Sequence, residues 1–246
     1  MKNIKIIPIL VLLFLFQGNR IWSQNSNNKG FTLLELFTSE GCSSCPPADE
    51  LLGRIENENN NQLYILAYHV DYWDRQGWKD IFSQAKFTER QYEYAKWLGK
   101  EPVYTPQAVV NGKKDLIGSN EKEIRTAIKN RISKSQNLDL SVESGFTASK
   151  LKLNYTLDKI SKDTKLLIAV VQKSAKSNVK RGENANRILA HYQIVRELQS
   201  VKLTSNLKGT VTLNLPKDFN SKDFAIIGFV QNNSDGTILT ADRINL

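Results

Sequence analysis

The stretch FTLLELFTSEGCSSC, from Phe31 to Cys45, decides the reading of this chain. An apolar run (Phe31, Leu33, Leu34, Leu36, Phe37) leads through Gly41 into Cys42-Ser43-Ser44-Cys45, and helical spacing follows at Leu51, Leu52 and Ile55. A C-x-x-C at a strand-to-helix turn puts one thiol at a helix N-terminus and the other one turn deeper. There the two can close a small disulfide and reopen it. The 246 residues contain 2 cysteines, so neither thiol has a competing partner. Spacing alone leaves three readings open: a redox couple, a metal clip or a plain staple.

Upstream of this stretch, Lys2 and Lys5 precede an apolar run from Ile6 to Phe16 broken by Pro8. That run is shorter than the ~18–20 residues a membrane-spanning helix needs. Residues 1–24 therefore read as an export signal, with cleavage near Ser23-Gln24 and no stable membrane anchor. The expected location is periplasmic or extracellular. In an oxidising compartment, a chain without a disulfide framework points to a reactive pair more than to a scaffold.

Downstream, the chain divides by pattern. Residues 29–135 alternate strand and helix signals, as a mixed α/β domain should. The expected elements are a strand ending near Thr38, a strand over Leu63–Val70, a helix over Phe87–Leu98 and a strand at Ala108–Val110. Asn111-Gly112 signals a hairpin turn, Leu116-Ile117 starts the return strand, and Asn120 with Glu123 fits a capping box. Residues 136–246 instead show period-two runs at Leu138/Leu140/Val142 and Leu151/Leu153/Tyr155/Leu157, with further strands at Leu166–Val171, Val211–Leu215, Phe224–Val230 and Thr237–Leu239. That predicts a β-rich, sandwich-like second domain. Arg181, Glu183 and Asn184 read as a polar loop after a strand, either an inter-domain contact or, as the simpler assumption, solvated. The net charge of +9 is carried by the leader and by scattered lysines after residue 136. No arginine-aromatic cluster suggests nucleic-acid binding.

A helix N-terminus favours thiolate over thiol, so Cys42 is the expected nucleophile and Cys45 the resolving cysteine. Ser43-Ser44 brings no cationic side chain between them, which predicts a moderately lowered Cys42 pKa and a middling reduction potential. Thr105-Pro106, about 60 residues on and leading into a β run, resembles the Thr-Pro pair that faces the C-x-x-C in thioredoxin-like folds. There the proline is cis and its backbone docks an extended substrate. Tyr104 and Trp73 are further candidate substrate-binding residues. Glu35, in the first strand, is a candidate buried acid for proton transfer. His69 closes the second strand on the edge where α/β ligand sites gather; it could tune the thiolate, or join Cys42 and Cys45 in binding Cu(I) or Zn²⁺. No cofactor is expected. The anticipated partners are protein or small-molecule thiols and disulfides.

Together these residues resemble the signature of an uncharacterised family of secreted bacterial proteins with a thioredoxin-like fold. The blocks are Glu35 to Asp49, His69-Val70-Asp71-Tyr72-Trp73-Asp74, Gly77-Trp78-Lys79-Asp80, Tyr104-Thr105-Pro106-Gln107 and Val109-Val110-Asn111-Gly112. Arg181-Gly182-Glu183-Asn184 and His191 to Leu198 extend the likeness into the second half. The resemblance implies the fold and thiol chemistry, and brings no substrate. The expectation is an exported thiol–disulfide oxidoreductase-like protein, with a metal carrier or a non-catalytic binding module as alternatives.

Overall fold

The computed structural model describes residues 30–58, 62–130, 132, 136–143, 147 and 149–246. The leader over residues 1–24, the asparagines at 59–61 and the serine at 135 lie outside the described residues. The elements run β1 (Thr32–Thr38), α1 (Pro46–Asn57), β2 (Leu63–His69), a 3₁₀ turn (Asp74–Gln76), α2 (Ala85–Leu98), β3 (Gln107–Val110), β4 (Lys114–Ile117) and α3 (Glu121–Lys129). Then follow β5 (Leu138–Val142), β6 (Lys150–Leu157), β7 (Thr164–Asn178), β8 (Ile188–Lys202), β9 (Lys208–Asn214), β10 (Phe224–Asn232) and β11 (Ile238–Asn245).

The fold is mixed α/β, with a large mixed sheet and a second small one. Eight strands form the large sheet in the order β11-β10-β7-β8-β2-β1-β3-β4, while β5-β6-β9 form the small sheet. β1 and β2 are parallel, as the helix between them requires, and β3 and β4 form an antiparallel hairpin. Asn111 and Gly112, with φ of 53° and 72°, supply the left-handed turn that Asn-Gly signals. Asn120 caps α3 by accepting from the Glu123 N–H.

The two halves of the chain share the large sheet. β8 lies beside β2 in parallel, through Ala67 and Ile194, and beside β7 in antiparallel over most of its length. Sequence pattern missed β8. It carries His191, Gln193, Arg196, Glu197 and Gln199, polar residues that do not alternate cleanly. Gln193, with φ of 53°, breaks the pleat in mid-strand. α1 packs directly over this strand: a Cβ on Gly53 would lie 2.5 Å from the Tyr192 ring, so only a glycine admits that approach.

The pleat sorts the residues of β1 between two cores. Leu34 and Leu36 face α1 and α3, packing with Leu51, Leu52, Ile55, Ile124 and Ile128. Leu33 and Phe37 face α2, packing with Tyr68, Phe87 and Tyr94 and onward to Ile227 and Phe229 of β10. A third core lies between the small sheet and the outer face of β7 and β10, built from Leu151, Leu153, Leu213, Ile168 and Ile226.

Glu35 shares the α2 face with Leu33 and Phe37, and there it meets Arg90. The Arg90 Nε donates to Glu35 Oε1 at 2.6 Å, Tyr94 OH donates to the other carboxylate oxygen, and Arg90 also reaches Gln231 of β10. The guanidinium lies 5.1–5.5 Å from the rings of Tyr94, Phe229 and Tyr68. Removing one partner strands a fully buried charge. Arg90→Ala is therefore expected to cost about 3–5 kcal/mol in urea unfolding; a loss below about 1 kcal/mol would show that the pair is not structurally needed.

Candidate functional site

Cys42 and Cys45 are joined as a disulfide, with Cα atoms 5.4 Å apart. The helix begins later than expected: Cys45, not Cys42, is the N-cap of α1, and Cys42 lies in the turn before it; Pro46 and Pro47 come next, where missing N–H groups cost little. The Cys45 carbonyl accepts from the N–H groups of Ala48 and Asp49, fixing the first turn. Both cysteines are fully buried, whereas Ser43 and Ser44 between them are exposed.

The Thr105–Pro106 bond is cis and lies against this turn. Ser44 Oγ donates to the Thr105 carbonyl at 3.4 Å, and Trp73 Nε1 donates to Thr105 Oγ1 at 2.8 Å. Trp73 also packs on the C-x-x-C loop, since a Cβ on Gly41 would meet its Cβ at 3.1 Å. Cys42, Cys45, Thr105, Pro106 and Trp73 thus occupy one place. Tyr104 adjoins it but turns its phenol to Asp115 of β4 at 3.0 Å. Burial, and then the Asp115 carboxylate, raise its pKa.

The loop between β7 and β8, expected to be solvated, instead straps the C-x-x-C. Asn184 is fully buried and its Nδ2 donates to the carbonyls of Glu40 and Cys42, both at 2.9 Å. Arg187 orients it by donating to its Oδ1. Glu183 accepts from the Ser43 N–H at 3.0 Å, and bonding from Ser43 holds its carboxyl below the usual range. Gly182, with φ of 76°, turns the loop beside Trp78.

Beneath the turn lies a buried polar cluster. His69 Nδ1 is 2.6 Å from Asp80 Oδ2, which also accepts from the Glu40 N–H. Burial alone would raise the Asp80 pKa, but His69 and the backbone donors hold it below the usual range. The His191 ring, from β8, is 5.0 Å from the His69 ring. His191 stands 3.5 Å from Asp49 and 3.6 Å from Glu40, while Ser177 bonds its Nε2. Trp78 Nε1 donates to Glu40 Oε2 at 2.6 Å.

Two sequence expectations are placed differently by this geometry. Glu35 lies on the opposite face of β1 from α1, with both carboxylate oxygens taken by Arg90 and Tyr94. His69 is turned to Asp80, and among the described residues no group of three or more His, Cys, Asp or Glu is arranged to hold a metal. Glu40, Asp49, Asp80, Asn184 and His191 stood in the family blocks without a role at the thiol site. The signal for Glu40 and Asp49 was their place on either side of the cysteines; nothing local marked β8.

A family model described as "Protein of unknown function (DUF1223)" matches residues 33–231, from β1 into β10. The chain belongs to that family. The crystal structure of a structural-genomics target protein from Agrobacterium tumefaciens is similar in fold and 27% identical, with a TM-score of 0.65 over 87% of this chain and 93% of that one. A domain of the outer membrane lipoprotein Omp28 from Porphyromonas gingivalis is 9% identical, with a TM-score of 0.28 over 46% of this chain and 88% of that one. No curated protein matches the chain. Among the described residues, no helix is long and apolar enough to cross a membrane.

His191 gives the site a pH signature. Burial works against its charged form, yet Asp49 and Glu40 outweigh burial and raise its pKa from 6.5 to about 9. A raised pKa stabilises the fold fully below about 6.5, and that contribution is lost as pH rises through about 9. The stability difference between wild type and His191→Gln, from urea unfolding, should shrink by up to about 3 kcal/mol across that window. A pH-independent difference would show that His191 is neutral in the fold.

Proposed function

We propose that this DUF1223 protein is an exported thiol–disulfide oxidoreductase whose N-terminal half has a thioredoxin-like arrangement. The sheet order β2-β1-β3-β4, with α1 between parallel β1 and β2 and α3 after the hairpin, supports that arrangement. The leader sequence supports export, and the small sheet packed on β7 and β10 supports a sandwich-like second half.

The carrying observation is the Cys42–Cys45 disulfide lying against the cis Thr105–Pro106 bond through Ser44. A substrate thiolate attacks Cys42 Sγ and forms a mixed disulfide; the Cys42–Cys45 bond breaks and its electron pair stays on Cys45. A second substrate thiolate then attacks the substrate sulfur of the mixed disulfide, forming the substrate disulfide and releasing Cys42. The substrate is oxidised by two electrons and the protein is reduced by two. In this reading Thr105 and Pro106 offer backbone to an extended substrate, with Trp73 and Tyr104 beside them. The Asn184 strap must shift before a thiolate can reach Cys42, because both cysteines are buried.

That same burial favours one rival, a permanent staple in a non-catalytic binding module. Expression of Cys45→Ser in a host that exports the chain separates the two. The oxidoreductase reading expects Cys42 mixed disulfides with partner proteins, detected by non-reducing electrophoresis and named by mass spectrometry, and their absence when Cys42→Ser is added. If Cys45→Ser captures no thiol partner, the staple reading stands.

A further inference from the structure

We propose that Asp49, paired with His191, exchanges the proton of Cys45 during disulfide opening and closing. This rests on the thiol-exchange reading and names the group that makes it workable in a buried site.

Opening the disulfide leaves a charge on Cys45, a residue with no solvent exposure. A thiolate stranded in an apolar interior is costly, so a proton must reach it. Glu35, the acid that position in the sequence suggested, is on the wrong face of β1 and fully engaged. Asp49 is placed for the task. It follows Cys45 by four residues, so the two are neighbours on one helix face. Helical side chains lean towards the N-terminus, the direction in which Cys45 lies, and the Asp49 carboxyl meets Thr38 of β1 and His191 there. The Cys45 carbonyl bond to the Asp49 N–H holds that register.

The surroundings of Asp49 are unusual. It is 2% exposed; Oδ2 accepts from Thr38 Oγ1 of β1, and Oδ1 has no hydrogen-bond partner. Buried acceptors are rarely left unpaired, and the exceptions ask for a chemical explanation. Three more such atoms sit in the same cluster: His191 Nδ1, Glu40 Oε1 and His69 Nε2. The charged groups facing Asp49 are His191 from β8, with Glu40 from the loop after β1, and His69 and Asp80 behind them. Trp78 and Ser177 complete the wall by bonding Glu40 and His191. Asp49 and His191 thus face each other at 3.5 Å, with Asp49 on the helical turn that Cys45 begins.

The step balances. As the Cys42–Cys45 bond breaks, the Cys45 thiolate takes the proton from the pair, leaving the Asp49 carboxylate and neutral His191. In the closing direction the Cys45 thiol returns that proton to the pair. Its thiolate attacks the mixed disulfide, re-forms the bond to Cys42 and releases the substrate thiolate.

The test uses the full exported chain. The rate of Cys42–Cys45 closure by glutathione disulfide is followed from about pH 5 to 9, with alkylation of reduced Cys42 by iodoacetamide as the control. Asp49→Asn should slow closure on the order of 10²-fold and move the pH profile, while Cys42 alkylation changes by about twofold or less. His191→Gln should displace the same profile. An unchanged profile in Asp49→Asn overturns the proposal and leaves the thiol-exchange reading intact. A wild-type pair that neither opens nor closes with any thiol reagent overturns both. If Asp49→Asn does not fold, the wild type decides. The His191 ring titration, read by NMR, should move by about half a unit or more between the oxidised and reduced forms, and an unmoved titration contradicts the proposal.

Discussion

The site depends on β8 lying between β2 and β7. A strand that starts 143 residues after Cys45 is hydrogen-bonded into the middle of the sheet that carries the cysteines. Gln193 breaks its pleat, and the residues before that break, with the loop from Val179, reach the end of β1: His191 stands by Asp49 and Glu40, and Asn184 bonds the Glu40 and Cys42 carbonyls. That pairing brings His191 under α1 and the Asn184 strap over the turn. Without it the C-x-x-C would have neither a buried polar floor nor a backbone clamp.

The floor and the clamp act on different properties of the pair. Asn184 satisfies the carbonyls of Glu40 and Cys42, so it fixes the shape of the loop. Glu183 accepts the Ser43 N–H, one of the donors a Cys42 thiolate would otherwise use, and adds a negative charge nearby. With α1 starting at Cys45, the Glu183 charge works against a thiolate at Cys42, which lies before the helix. Below, three carboxylates share a buried space with two histidines. Such a group survives burial by proton sharing and hydrogen bonding, as the raised His191 and lowered Asp80 pKa values reflect.

What the sequence made legible was what local chemistry controls. The C-x-x-C turn, the Asn111-Gly112 hairpin, the Asn120 cap and the cis Thr105–Pro106 are each decided within a few residues. The face that Glu35 occupies was also within reach, since Leu34 and Leu36 alternate with Leu33 and Phe37. Choosing which face α1 covers, however, needs the path of the chain beyond Gly41. β8 was hidden for a different reason. Its buried His191 meets Ser177 on β7 and Asp49 and Glu40 far upstream, and Gln193 breaks the pleat, so no period marks the strand. The polar loop at Arg181–Asn184 looked solvated because its acceptors lie some 140 residues upstream.

A reversible couple is the centre of the account, and equilibration in glutathione redox buffers measures it directly. The fraction of the chain with Cys42 and Cys45 joined is read by thiol labelling and mass. Ser43-Ser44 without a cation, with Glu183 on the Ser43 N–H, predicts a two-electron transition at a middling potential, roughly −150 to −250 mV. A disulfide that stays closed in every buffer would contradict the account, and so would a potential as oxidising as the strongest oxidases, near about −120 mV.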